Sequence, residues 1–187
     1  MQFLGNSSVA QAVLSSQSHG QFFTINIAYG LAVTLAVLVA GGVSGAHLNP
    51  AVTLALALVG KFPFRKIPHY MIAQYLGAFV SAAVTLLVYQ DAMYNFDQGN
   101  RQILGPQGTG GIFATYPQTF VSLEVGLIDQ IVATAILLLL ICAITDPRNC
   151  RVSSGLAPLL VGLTVVCIGM ALGFNCGYAI NPAHVKE

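Results

Sequence analysis

Four long stretches of this chain contain almost no charged residues, and each is long enough to cross a lipid bilayer. At 1.5 Å of rise per residue, about 20 helical residues cover the roughly 30 Å hydrocarbon core. We predict spanning helices at about 25–44, 67–90, 125–145 and 156–173. The third stretch holds one acid, Asp129, near its start. The pattern predicts an all-α membrane protein whose residues 1–187 form a single transmembrane domain.

The composition excludes several other classes of protein. Only 7% of the residues are charged and 56% are hydrophobic, whereas about a quarter of a typical globular chain is charged. A net charge of +1 excludes an electrostatic nucleic-acid binder, and the apolar content excludes a disordered chain. The four cysteines form no CxxC pair, so no zinc site is indicated. No pattern typical of a catalytic or metal site is present, so we predict neither enzyme activity nor a cofactor.

The basic residues indicate how the helices are oriented. They cluster in the loop between the first two spans and in the loop between the last two: Lys61, Arg65, Lys66, Arg148 and Arg151. Cytoplasmic loops carry an excess of Lys and Arg, so both loops are predicted to be cytoplasmic. The connection at 91–124, which has three acids and one arginine, and the N-terminal segment are then outside.

A glycosylation sequon, Asn6-Ser7-Ser8, lies in that N-terminal segment. Matches of three residues are common, and Asn6 lies close to the predicted bilayer. We therefore expect Asn6 to be unmodified, and glycosylation is the alternative.

A short motif occurs twice in the chain. GAHLNPA at 45–51 and GYAINPA at 177–183 match, and each follows a span rich in small residues that allow close helix packing. The first copy leaves the cytoplasmic end of a span and the second leaves an extracellular end, so the repeats are inverted. Half-helices at about 47–59 and 181–187 could therefore enter from opposite faces and meet at the midplane.

The Asn-Pro-Ala tripeptide suits such a meeting point. Asn is a good helix N-cap, and Pro is tolerated at the first helical position. The tripeptides Asn49-Pro50-Ala51 and Asn181-Pro182-Ala183 would each start a half-helix and aim its positive end at one spot. Non-helical backbone at that depth must line a cavity or be covered by protein. One such pair would indicate only a turn; two inverted copies favour a pore that passes neutral hydrogen-bond acceptors and rejects cations.

The segments SGAHLNPAVT and GYAINPA resemble the two pore loops of the aquaporin, or major intrinsic protein, family. The resemblance extends over residues 3–183. The stretches GTGGIFATYP at 108–117 and AITDPRN at 143–149 are most similar to the aquaglyceroporin branch. The resemblance implies passive conduction of glycerol and water, a bundle of six spans and two half-helices, and a homotetramer with one pore per subunit. It also implies a plasma-membrane location.

The resemblance also implies roles for individual residues. The narrowest constriction would be formed by Tyr29, Gly169 and Tyr178, where glycine leaves width for a polyol and two aromatic rings contact its carbon chain. For each tyrosine alone, an interfacial aromatic is the alternative. His47 would line the inner pore, with a purely structural histidine as the alternative. Gln130 would brace the pore-loop backbone.

The chain departs from the family pattern at both ends. The family has a whole helix before Phe3, and an arginine, the rest of the half-helix and a sixth span after the second motif. Here His184 stands in place of that arginine, and the sequence ends at Glu187. The resemblance therefore implies a bundle that lacks the first and sixth spans, which would leave the pore open to lipid. The alternative to a channel is a non-conducting truncated isoform that associates with full-length relatives as a regulatory subunit.

Overall fold

The computed structural model describes residues 1–184, and residues 185–187 lie outside that range. The described residues form six α-helices and two short 3-10 helices, at Phe64–Lys66 and Gly110–Ile112. The α-helices in chain order are α1 (Gln2–Leu14), α2 (Phe22–Ser44), α3 (Pro50–Leu58), α4 (Ile67–Asp97), α5 (Leu123–Thr145) and α6 (Ala157–Cys176). The described part of the chain has no β-strand.

Four of these helices are long and apolar enough to cross a membrane: α2, α4, α5 and α6. They overlap the four segments predicted from sequence, but α4 continues to Asp97, beyond the predicted end at 90. Large apolar side chains stay exposed along them, such as Phe79 on α4 and Leu139 on α5. Such a continuous apolar surface fits a hydrocarbon solvent rather than water.

The sequence analysis did not predict α1. Its residues QFLGNSSVAQAVL mix polar and apolar side chains, so the segment lacks the continuous apolar run of a span. The helix nevertheless packs against α2 and α4. Ala10 joins Met93 of α4 and Ile112 of the following loop in a small buried cluster.

Two glycines set the distance between α2 and α6, the helix pair with the most extensive contact. A Cβ on Gly30 would overlap the side chain of Val166 and the carbonyl oxygen of Gly162. A Cβ on Gly162 would overlap the hydroxyl of Thr34 and the carbonyl oxygen of Gly30. The two backbones therefore touch at this crossing, as in other membrane bundles whose interfaces use small residues.

The first predicted half-helix is present as α3. It has nine residues and a length of about 14 Å, too short to cross the hydrocarbon core. It begins at Pro50 rather than at 47, because Asn49 is its extended N-cap. The second predicted half-helix, 181–187, is described only as far as a turn at 182–184, and its remaining residues lie outside the described range.

Candidate functional site

The two Asn-Pro-Ala loops, 45–51 and 177–183, meet through a pair of reciprocal hydrogen bonds. Nδ2 of Asn49 donates to the carbonyl oxygen of Ile180 over 2.7 Å. Nδ2 of Asn181 donates to the carbonyl oxygen of Leu48 over 3.1 Å. Each asparagine thus binds the residue just before the other one, and the symmetry of the bonds follows the inverted repeat in the sequence.

The same two asparagines cap the turns that follow them. Oδ1 of Asn49 accepts a hydrogen bond from the amide of Ala51 at 2.8 Å, and Oδ1 of Asn181 accepts one from the amide of Ala183 at 3.1 Å. An asparagine amide has two N–H donors, and the opposite loop takes one of them. One donor on each asparagine therefore remains for a molecule in the cavity that both side chains line.

That cavity has a volume of about 540 Å³. One end lies among the loops that carry Lys61 and Arg148, and the other lies among Tyr29, Tyr178 and His184. The two asparagines lie along its wall between these ends. Residues of both Asn-Pro-Ala loops therefore line one cavity, which is partly open to its surroundings.

Three of the four residues predicted for the constriction, Tyr29, Tyr178 and His184, line the cavity, and Gly169 lies behind the Tyr178 ring. The rings of Tyr29 and Tyr178 are edge to face with centroids 6.3 Å apart, and the rings of Tyr29 and His184 have centroids 5.6 Å apart. A Cβ on Gly169 would lie 3.0 Å from the Tyr178 ring and would overlap Oδ1 of Asn26. Asn26 and Tyr178 thus already occupy the space beside the glycine, and its missing side chain is what lets them pack there.

The Tyr29 hydroxyl links the constriction to α1. It donates to Oδ1 of Asn6 at 3.2 Å and lies 3.1 Å from Nε2 of His184. Asn6 is only 2% exposed, and sequence reasoning considered it only as part of a sequon. Nothing local in the sequence marks this contact, because it depends on how α1 packs.

His47 is held by a polar and aromatic network. Its Nδ1 lies 3.1 Å from the hydroxyl of Thr53, which also accepts a hydrogen bond from Nε2 of Gln74 at 2.9 Å. The imidazole packs edge to face against Phe62 and lies near the ring of Tyr70. His47 also lines the cavity, so the network holds it at the cavity wall, and its role in a pore stays a prediction.

The side chain of Gln130 makes no hydrogen bond to either Asn-Pro-Ala loop among the described residues. The residue is half-buried on α5, and its side chain has no hydrogen bond to the described residues. Its neighbour Asp129 instead accepts a hydrogen bond from Nδ2 of Asn175 at 3.3 Å. The carbonyl oxygen of Asn175 accepts one from the amide of Gln118 at 2.9 Å. Bracing by Gln130 stays a prediction, and Asp129 is the α5 residue that binds the segment before the second loop.

The cavity end opposite the constriction carries an ion pair. The side chain and the backbone amide of Arg148 donate hydrogen bonds to Asp146. These bonds, with smaller contributions from the charges of Arg148 and Lys61, hold the pKa of Asp146 down at about 2. The carboxylate is thus ionised at neutral pH but neutralised by basic neighbours, unlike the acidic rings that attract cations into cation channels.

Comparison with known proteins identifies the family. A family model described as major intrinsic protein matches residues 1–185. The chain belongs to the major intrinsic protein family. The resemblance found in the sequence is therefore confirmed, and so is the all-helical, aquaporin-like fold.

Individual relatives in this family are close. The chain is 54% identical over 180 residues to aquaporin-10 of Milnesium tardigradum, covering 96% of this chain and 44% of the relative. It is 45% identical to human aquaporin-10, covering 98% of this chain and 61% of the relative. Human aquaporin-9 is 47% identical, with 96% and 61% covered. The chain thus spans about half the length of the curated relatives it matches.

A solved structure gives the same fold. The X-ray structure of the aquaglyceroporin from Plasmodium falciparum matches with a TM-score of 0.80 and 31% identity, covering 98% of this chain and 75% of that one. With four apolar helices of sufficient length, this member of the major intrinsic protein family is a multi-pass membrane protein.

Proposed function

We propose that this chain is a passive channel for glycerol and water, with the cavity between the two Asn-Pro-Ala loops as its path. The observation that carries the proposal is the reciprocal pairing of Asn49 and Asn181 beside a 540 Å³ cavity. This pairing uses one donor of each amide and leaves the other for a permeating oxygen atom. Neutral molecules that accept hydrogen bonds can move past these two donors one after another.

The constriction residues support a preference for small polyols. Tyr29 and Tyr178 line the cavity and present ring surfaces to the carbon chain of a permeant, while Gly169 lets Asn26 pack close behind the Tyr178 ring. The positive N-terminal end of α3 faces the loop junction and raises the energy of a cation there. Glycerol and water are therefore the proposed permeants, and ions are excluded.

The proposed setting is a homotetramer in the plasma membrane. The two Asn-Pro-Ala loops of a single chain bind each other, so each subunit would hold its own path. The exposed apolar faces of α4 and α5 are then available for lipid and for neighbouring subunits. Crosslinking in native membranes would give a tetrameric product if this arrangement is correct.

Reconstitution into liposomes tests conduction. Stopped-flow light scattering in an inward glycerol gradient should show faster swelling with the protein than in protein-free vesicles. Asn181→Ala should abolish most of that increase, because it removes both a loop contact and a donor. An exposed-site variant, Asn95→Ala, should swell like the wild type. Equal swelling of protein-containing and empty vesicles, despite verified insertion, would refute channel activity by this chain.

The alternative is a non-conducting subunit that associates with full-length aquaglyceroporins. It is favoured by the same exposed apolar faces, which another chain could cover. Co-expression with a tagged full-length relative separates the two proposals. Recovery of a stable mixed complex together with no swelling response would support the alternative, and swelling by the chain alone would support the channel.

A further inference from the structure

Asn6 contacts the constriction from outside the helices that were predicted to form it. It lies on α1, and the adjacent Gly5 lets that helix pack directly against the Tyr29 ring: a Cβ on Gly5 would overlap three atoms of the ring. Asn6 is almost completely buried, and its Oδ1 accepts the Tyr29 hydroxyl hydrogen. The amide therefore fixes both the position and the rotation of that hydroxyl.

The direction of this bond determines the state of His184. A tyrosine hydroxyl has a single hydrogen, and here that hydrogen goes to Asn6. The contact of 3.1 Å between the Tyr29 hydroxyl and Nε2 of His184 then requires Nε2 to be the donor. In a neutral imidazole with its proton on Nε2, Nδ1 is a hydrogen-bond acceptor. Nδ1 of His184 has no partner among residues 1–184, and His184 lines the cavity.

We propose that Asn6 is a specificity-determining positioning residue that acts on the constriction through Tyr29. By holding the Tyr29 hydroxyl, it keeps the His184 proton on Nε2 and presents Nδ1 as an acceptor for a hydroxyl group of the permeant. The constriction therefore selects solutes that donate hydrogen bonds, which a positively charged side chain, having only donors, could not do. This inference rests on the proposed channel function.

The burial of Asn6 also argues against modification of its sequon. A glycosylated asparagine must be reachable on the surface, whereas this side chain is 2% exposed and bonded to Tyr29. The role of Asn6 as a sequon residue can be separated from its role as a hydrogen-bond acceptor, because the sequon also needs Ser8. Ser8→Ala removes the sequon and keeps the Asn6 amide.

Permeability measurements on five variants test the proposal. Asn6→Ala should lower the ratio of the permeability of glycerol to that of a solute of similar size without O–H or N–H groups about fivefold, the change expected for one net hydrogen bond. Asn6→Asp, which keeps the acceptor oxygen, and Ser8→Ala should retain the wild-type ratio. Tyr29→Phe should lower the ratio as Asn6→Ala does. The double variant, Asn6→Ala with Tyr29→Phe, should have the same ratio as Tyr29→Phe, because the effects of two residues that act through one bond are not additive. Additive effects, an unchanged ratio in Asn6→Ala, or a loss in Ser8→Ala would overturn the proposal.

A second measurement does not depend on conduction. Nitrogen NMR of the imidazoles in detergent, with the His184 signals assigned through His184→Gln, reports which nitrogen carries the proton. The wild type and Asn6→Asp should show the proton on Nε2, and Asn6→Ala should show a mixture. A proton on Nδ1 in the wild type, or spectra unchanged by Asn6→Ala, would overturn the inference. If the wild type does not conduct, the channel proposal fails, and these spectra still decide the role of Asn6.

Discussion

At the residue scale, the two asparagines at 49 and 181 each make two different contacts. One side-chain oxygen caps the turn that follows it, and one nitrogen binds the opposite loop. The oxygen and the nitrogen belong to the same amide group. Truncating the side chain therefore removes both contacts at once. The wall of the cavity and the stability of the loop junction are thus set by the same side chains.

Removing one of these amides should weaken the folded protein measurably. Asn49→Ala loses a helix cap and a buried hydrogen bond, each with a contribution of about 1 kcal/mol, so we expect a loss of about 2 kcal/mol in stability. Thermal unfolding in detergent, followed by circular dichroism, should show a lower midpoint. Asn95→Ala, at an exposed position on α4, is the control and should leave the midpoint unchanged. Equal midpoints for all three proteins would mean that the cross-loop bond contributes nothing to stability.

A larger residue at Gly169 should change selectivity. A methyl group there would overlap Asn26 and press on the Tyr178 ring, so that ring should be pushed into the cavity that it lines and narrow it. We expect Gly169→Ala to reduce glycerol permeability more than water permeability, because glycerol is wider. Stopped-flow measurements of both solutes check this, with Gly41→Ala on α2 as the control. Equal losses for both solutes would indicate a folding defect rather than a narrower opening.

Sequence reasoning found the site residues that belong to a local motif and missed those that depend on packing. Asn49 and Asn181 are recognisable because capping chemistry and repetition are local properties. Asn6 was missed because its partner Tyr29 lies on a different helix. Gln74 was missed for the same reason: its contact with Thr53 exists only because α4 packs beside α3.

At the element scale, the α2–α6 crossing holds both halves of the site. α2 carries Tyr29, and α6 carries Gly169 and leads into Tyr178. The long apolar helices were predictable because their length and composition match the bilayer. The point at which α2 and α6 cross was not predictable. Gly30 and Gly162 face each other there, and the sequence does not show which of its many glycines do so.

Separating these two helices should destabilise the bundle. Gly162→Ala would push a methyl group into the Thr34 hydroxyl and the Gly30 carbonyl, and overpacking of this kind typically costs about 1–3 kcal/mol. For a chain of this size, that corresponds to a fall of roughly 2–12 °C in the unfolding midpoint. Gly77→Ala on α4 is the matched control, because a Cβ there meets nothing within 4 Å. An unshifted midpoint in Gly162→Ala would show that the helices adjust without cost.

At the scale of the whole molecule, orientation in the membrane follows from the loops. The two loops with an excess of basic residues must lie on one side if the four long helices span the bilayer. The inverted repeats then enter from opposite sides, which is what allows Asn49 and Asn181 to meet. If the two basic loops lay on opposite sides of the membrane, the two Asn-Pro-Ala loops could not meet. The membrane topology and the geometry of the site therefore depend on each other.

The native cysteines allow this orientation to be measured. Cys150 is exposed in the loop after α5, where a reagent in water can reach its thiol. Cys167 is exposed too, but in the middle of α6, where its surface faces lipid and a reagent in water does not reach it. A membrane-impermeant maleimide should therefore label inside-out vesicles strongly and intact right-side-out vesicles weakly, and Cys150→Ser should remove the signal. Strong labelling of Cys150 from the outside would reverse the assigned orientation, and it would place the mouth that contains Asp146 and Arg148 on the extracellular face.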